Sequence, residues 1–158
     1  TTSRRSCTST DRVKQYLVVC LGNICRSPIG EGWLRHAAMV RGCRVKVDSA
    51  GTAGYHVGEA PDRRSVAAMK AAGIDISGQR SRKFVRADFK KFDRILVMDQ
   101  SNLRDVLALA RGDEEAAKVA LFDGISDVPD PYYGGDDGFA RVREQVRAAA
   151  ESWLDTDF

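Results

Sequence analysis

The sequence predicts an α/β fold, a single domain built on a parallel sheet with helices on both faces. Two observations carry this. Short apolar runs alternate along the chain with longer segments whose apolar residues recur at helical spacing. That alternation marks strands joined by right-handed helical crossovers. The second observation picks out one junction. The first apolar run ends in a Gly-Asn loop that leads into Ser27-Pro28. This is a helix-start signal, with Ser as candidate N-cap and Pro at the first helical position.

The elements follow in order. Tyr16-Leu17-Val18-Val19 lies in a buried first strand over 15–20. Residues 28–41 carry Ile29, Trp33, Leu34, Ala37, Ala38 and Val40 at near-helical spacing and stop at Gly42. Val45 and Val47 alternate with charged residues over 44–48, a second strand. A loop with three glycines and an exposed Tyr55 runs to Pro61. Residues 62–72 read as a helix with Val66, Met69 and Ala72 inward, ending at Gly73. Residues 74–88 are irregular and basic, and a short helical turn follows. Phe92–Met98 is a third strand, Ser101 caps a helix to about Arg111, and Val119–Phe122 is a fourth strand. A long loop rich in Asp, Pro and Gly covers 125–137. The last helix, 138–154, puts Phe139, Val142, Val146, Ala149 and Trp153 on one face. Four strands between helical layers make a three-layer sheet of the flavodoxin-like or Rossmann-like kind. In such sheets ligands sit beyond the carboxyl ends of the strands, where strand order reverses. The loop after the first strand and the loop after the fourth emerge on that edge.

Composition narrows the function. A chain of 158 residues with 43% hydrophobic and 30% charged residues is ordinary for a globular domain and long enough for a core. The net charge of +3, with both signs interspersed and no aromatic-basic alternation, argues against nucleic acid. No apolar run approaches the ~20 residues of a membrane span. Cysteines stand at 7, 20, 25 and 43 with no visible secretory signal. They read as thiols of a reducing, cytoplasmic compartment. Residues 1–12 are rich in Ser, Thr and Arg and read as a flexible tail before a domain over 13–158. The same composition suits a transit-peptide remnant, which would imply organellar import.

The loop itself carries chemistry. Cys20 stands at its start and Arg26 at its end. A loop that closes on a helix N-terminus turns its N–H groups and the helix dipole toward an anion. That field favours a thiolate over a thiol, so Cys20 reads as a nucleophile near neutral pH. Arg26 offers a planar fork that matches two phosphate oxygens. The backbone of Leu21, Gly22, Asn23, Ile24, Cys25 and Arg26 would be the cradle. Gly22 would permit close approach and unusual φ, and Asn23 tolerates a left-handed conformation.

Cys20-Leu21-Gly22-Asn23-Ile24-Cys25-Arg26-Ser27-Pro28 resembles the signature of the low-molecular-weight protein tyrosine phosphatases. Asp48-Ser49-Ala50-Gly51-Thr52, Met98-Asp99-Gln100-Ser101-Asn102-Leu103 and Asp130-Pro131-Tyr132-Tyr133-Gly134 resemble further family motifs, in the family's order. The likeness covers roughly residues 14 to 155. It implies a four-stranded parallel sheet and a hydrolase of phosphotyrosine and small aryl phosphates. Cys20 would form a phosphocysteine, and Asp130 would act as general acid and then as base. Asn23 would be tied to Ser49, and the Ser27 hydroxyl would donate to Cys20. Cys25 would form a reversible disulfide with Cys20 under oxidation. Phosphotyrosine-containing proteins are the implied partners, and a monomer is expected. Read locally, Asp99, Ser101 and Asn102 are a helix N-cap.

Tyr55, Tyr132, Tyr133 and Leu21 would wall a slot with Cys20 at its base, deep enough to exclude the shorter phosphoserine. His36 and His56 have no ligand cluster around them in sequence, and the chemistry calls for no metal or cofactor. Gly30 stands where relatives commonly have Ala, and Gly78-Gln79 where many carry His. The glycine is expected to loosen the first helix slightly.

Three other readings compete. A protein arginine phosphatase of the same fold tends to carry Thr where Ile24 stands. A thiol-linked arsenate reductase needs cysteines downstream, and none follows Cys43. A non-catalytic phosphotyrosine-binding module can dispense with Cys20 or Asp130, yet both are present. A nucleotide-binding loop would need Gly-Lys-Ser/Thr, which is missing.

Overall fold

Strands β1 (Lys14–Cys20), β2 (Val45–Gly51), β3 (Arg94–Val97) and β4 (Val119–Leu121) form one sheet in the order β2-β1-β3-β4, with every pair parallel. This computed structural model describes residues 13–132 and 134–158; the expected tail over 1–12 and Tyr133 lie outside the described residues. The chain steps from β1 to one side for β2 and to the other side for β3. The strand order therefore reverses at the carboxyl end of β1, where Cys20 stands.

Alternation along β1 sorts its side chains between two cores. Tyr16, Val18 and Cys20 face a layer made by α1 (Arg26–Arg41), α2 (Arg63–Ala71) and α6 (Asp136–Asp157). Leu17 and Val19 face Phe84, Phe89, Phe92 and Val106, the side of α3 (Asp88–Lys91) and α4 (Gln100–Leu107). Both faces of the central strand are buried, so it reads as one apolar run.

Helix α1 lies close against the sheet. A Cβ at Gly30 would stand 2.8 Å from Val18 Cγ1, 3.0 Å from Met98 Cε and 3.2 Å from Phe122 Cε2. Gly30 thus lets α1 approach the sheet closely, a packing role that the sequence did not show.

Several boundaries move for local reasons. Helix α1 begins at Arg26, and its N-cap is Cys25 without a side-chain bond. Ser27 is not the cap, because its hydroxyl is engaged elsewhere. Asp99, not Ser101, caps α4, accepting from Asn102 N at 2.8 Å. That helix ends at Leu107, and a short α5 (Asp113–Ala116) follows Gly112. The three acids at its start were a legible signal for it. Val40 and Ala72 face solvent rather than the core, Val40 in the last turn of α1 and Ala72 as the C-cap of α2. Among the described residues, no helix is long and apolar enough to cross a membrane.

Candidate active site

The five residues between β1 and α1 are shaped by their own carbonyls. Thr52 N–H bonds Cys20 O at 2.9 Å, Ala53 N–H bonds Leu21 O at 2.9 Å, and Asp62 N–H bonds Ile24 O at 2.8 Å. The Ser81 hydroxyl donates to Gly22 O at 3.0 Å. These carbonyls are thus held outward. In a planar trans peptide the next N–H points the opposite way. The N–H groups of Leu21, Gly22 and Cys25 are so turned inward, where they find no acceptor among the described residues. The N–H of Asn23 is aimed at Cys20 Sγ, 3.3 Å away.

Asn23 takes the left-handed conformation expected of it, with φ 58°. Its amide is fully used. Nδ2 donates to Ser27 Oγ at 2.8 Å and to Ser49 Oγ at 2.9 Å, and Oδ1 accepts from Arg82 N at 3.0 Å. Gly22 differs from expectation, since its φ is not positive. Its smallness matters because an added Cβ would stand 3.0 Å from His56 Cδ2.

These bonds fix a direction. An amide NH₂ only donates, so Ser27 Oγ accepts from Asn23 and its own hydrogen is free for Cys20 Sγ, 3.0 Å away. Ser49 likewise accepts from Asn23 and donates to Glu31 Oε1 at 2.7 Å. Two donors, Asn23 N–H and the Ser27 hydroxyl, therefore converge on the sulfur. Glu31 was not singled out in the sequence. Burial pushes its carboxyl up, against the Ser49 hydrogen bond and the Arg35 guanidinium, which lies 2.8 Å away. Asn23, Ser27 and Ser49 are buried and stand behind the loop rather than on the surface a substrate would meet.

Arg26 is buried, and protein carboxylates hold it. Nη1 donates to Asp99 Oδ2 at 2.7 Å and to Val128 O at 2.9 Å, and Nη2 lies 3.7 Å from Asp130 Oδ2. Burial works against its charge, but Cys20, Asp99 and Asp130 outweigh it, so its pKa rises. With Nη1 occupied, Nη2 and Nε remain for an anion. Asp130 Oδ1 accepts from Tyr132 N at 3.0 Å, which sets the carboxylate over the loop. Asp127, in the same loop, accepts from Gln100 N at 3.1 Å.

These groups line one cleft of about 210 Å³. Cys20 is 2% exposed at its base, and Leu21, Tyr55 and Tyr132 are exposed at its mouth. Ile24, Cys25, Arg26 and Asp130 complete the walls with Gly22. Burial, followed by Asp62 and Cys20, pushes the Cys25 thiol up to about 12. His56 also lines the cleft, with Nδ1 2.8 Å from Glu59 Oε2. The sequence shows His56 only as a histidine without a ligand cluster; its adjacency to Tyr55 is the signal for a rim role. Among the described residues, no group of His, Cys, Asp and Glu could hold a metal ion.

The chain matches the family model described as "Low molecular weight phosphotyrosine protein phosphatase" over residues 15–157. It belongs to that family. A relative of the same description from Schizosaccharomyces pombe is 44% identical over 149 residues, 89% of this chain and 94% of that one. Among solved structures, a protein tyrosine phosphatase from Entamoeba histolytica with Hepes in the active site superposes with a TM-score of 0.86. It is 34% identical and covers 90% of this chain and 96% of that one. Vibrio vulnificus Wzb in complex with benzylphosphonate superposes at 0.82, with 29% identity over 90% of this chain and 98% of that one. For a low molecular weight phosphotyrosine protein phosphatase, the four parallel strands and the loop after the first of them are the expected architecture.

The loops around the cleft are cross-braced. Asp62, whose N–H holds Ile24 O, also engages Arg64 at 3.1 Å. Arg64 in turn donates to Tyr132 O at 2.9 Å and Gly134 O at 3.2 Å. One arginine thereby joins the Cys20–Arg26 loop to the loop that carries Asp130.

Proposed function

We propose that this protein hydrolyses phosphotyrosine in proteins, and small aryl phosphates, through a phosphocysteine on Cys20. The observation that carries the reading is the meeting of Cys20, Arg26 and Asp130 in one cleft beneath inward-facing N–H groups. Family membership supports it. So does the benzylphosphonate bound by Vibrio vulnificus Wzb, since that ligand joins an aromatic ring to a phosphonate.

The dianion binds to the N–H groups of the loop and to the free edge of Arg26. Cys20 Sγ attacks phosphorus in line, and the S–P bond forms as the P–O bond to the phenol breaks. Asp130 gives its proton to the departing oxygen. Water then attacks the phosphocysteine and gives a proton back to Asp130. The sulfur leaves with its charge met by the Ser27 hydroxyl and Asn23 N–H. Donors that are already aimed need no reorganisation as charge develops, which is the main source of electrostatic catalysis. A buried Cys20 below an aromatic rim suits a ring that carries its phosphate far from the backbone.

Phosphate release from a phosphotyrosine peptide, native protein against Cys20→Ser, tests the reading. Release that vanishes in the variant, while the variant still binds inorganic phosphate, is the expected result. No release from freshly reduced protein, or undiminished release by Cys20→Ser, would overturn it.

A further inference from the structure

We propose that the groove between α2 and α6, next to the cleft, is a subsite for an anionic group, a carboxylate or a phosphate, carried beside the phosphotyrosine of a peptide substrate. The proposal rests on the phosphatase reading above.

The groove measures about 530 Å³, and among the described residues Arg63, Arg64 and Arg143 line it without any carboxylate. Among the described residues the remaining wall is Phe139, with the Arg64 guanidinium 4.5 Å from its ring centre, and three alanines. Two of the arginines are partly answered. Asp62 lies 3.1 Å from Arg64, and Glu144 lies 2.9 Å from Arg143. Arg63 is exposed and makes no hydrogen bond or ion pair among the described residues. It opens α2 directly after Asp62, whose carboxylate caps the helix by accepting from Arg64 N at 2.8 Å, so the field of the groove comes from the guanidinium groups.

Position ties the groove to the reaction. Ile24 and Cys25 pack with Phe139 and Ala68. The first pair lines the cleft and the second pair lines the groove, so the two hollows share a wall. Tyr132 stands at the rim between them, with the Arg64 guanidinium 5.5 Å from its ring centre. A peptide with its phosphotyrosine in the cleft crosses Tyr132 and lays a neighbouring side chain over Arg63. On the opposite rim His56 is paired with Glu59, 2.8 Å away.

The test is kcat/KM for phosphotyrosine peptides flanked by Glu, by Ala, by Lys or by phosphoserine, beside a small aryl phosphate. Native protein is compared with Arg63→Ala and Arg63→Glu. The native protein should favour the Glu-flanked peptide over the Ala-flanked one by about two- to five-fold, the range of an exposed ion pair. The advantage should shrink with added salt. Phosphoserine should exceed Glu if a doubly charged group is the better fit, and match it if any carboxylate suffices; either result supports the subsite. Arg63→Ala should remove most of the preference and Arg63→Glu should reverse it, with aryl phosphate turnover unchanged. Equal rates for all flanks in the native protein, or an intact preference in Arg63→Glu, would overturn the subsite while leaving the phosphatase standing. No turnover of any substrate, aryl phosphate included, would overturn the phosphatase reading and the subsite with it.

Discussion

Arg26 Nη1 donates to Asp99 Oδ2 at 2.7 Å, across 73 residues of chain. Asp99 does two things at once. Its Oδ1 caps α4 through Asn102 N, and its Oδ2 orients the guanidinium at the cleft floor. Asp99→Asn separates the two, because Asn caps a helix about as well as Asp but brings no charge to Arg26. The expected result is a roughly ten-fold weaker grip on inorganic phosphate and a similar rise in KM, the scale of one charged hydrogen bond. The urea midpoint should barely move. An unchanged inhibition constant for phosphate would remove Asp99 from the positioning of Arg26.

Asp130 faces Arg26 across 3.7 Å with its other oxygen held by Tyr132 N. If it protonates the leaving oxygen, Asp130→Ala should slow phenyl phosphate by about 100-fold or more. A nitrophenyl ester, whose oxygen leaves without help, should suffer much less. Equal slowing of both esters would take the acid role away from Asp130.

Gly30→Ala tests the contact between α1 and the sheet. On an exposed helix this change gains ~1 kcal/mol. Here the new methyl would meet Val18, Met98 and Phe122 at 2.8 to 3.2 Å. Overpacking of this kind costs about 1–3 kcal/mol, so the net effect should be destabilising. Thermal or urea unfolding reads the sign directly, and a stabilised variant would refute the close approach.

Asp62 gives a pH dependence. Its hydrogen bond to Arg64 holds the carboxyl below its ordinary value of 3.8, against a smaller effect of burial. A lowered native pKa contributes stability that is complete above the unfolded value. That contribution is lost as the pH falls through the native value. Asp62→Asn should therefore lower the urea midpoint near pH 6, by about 0.5–1 kcal/mol after allowance for solvent screening. The gap between variant and native protein should close as the pH drops from about 4 toward 2. A gap that stays constant down to pH 2 would mean the charge on Asp62 is not what matters.

Much of the molecule was legible in the sequence because its signals are local. The apolar run of β1, the stop at Gly42 and the face of α6 each repeat at the period of their own element. Errors fell where a side chain bonded outside its own element or where a helix ran past the surface that buries it. Ser27 looked like an N-cap, but Asn23 and Cys20 claim its hydroxyl. Ser101 looked like the start of α4, but Asp99 lies at the end of the sheet, where it can serve both Asn102 and Arg26. Val40 and Ala72 fit helical spacing, yet each falls at the end of its helix, beyond the surface that the sheet covers.

By itself the sequence determined the α/β class and the strand-loop-helix junction, and it pointed to Cys20, Arg26 and Asp130 for the chemistry proposed above. These follow from periodicities and spacings that span only a few residues, and from motifs that resemble one family. Only the tertiary structure decided which way the loop carbonyls point, since their donors come from Thr52, Ala53, Asp62 and Ser81. It alone decided that Glu31 ends the chain of bonds behind Cys20, that Asp99 holds Arg26, and that Gly30 must stay small. The physical reason is register. A hydrogen bond or a 3 Å contact between distant segments exists only once strand pairing and helix packing have fixed both partners, and no local spacing encodes that distance.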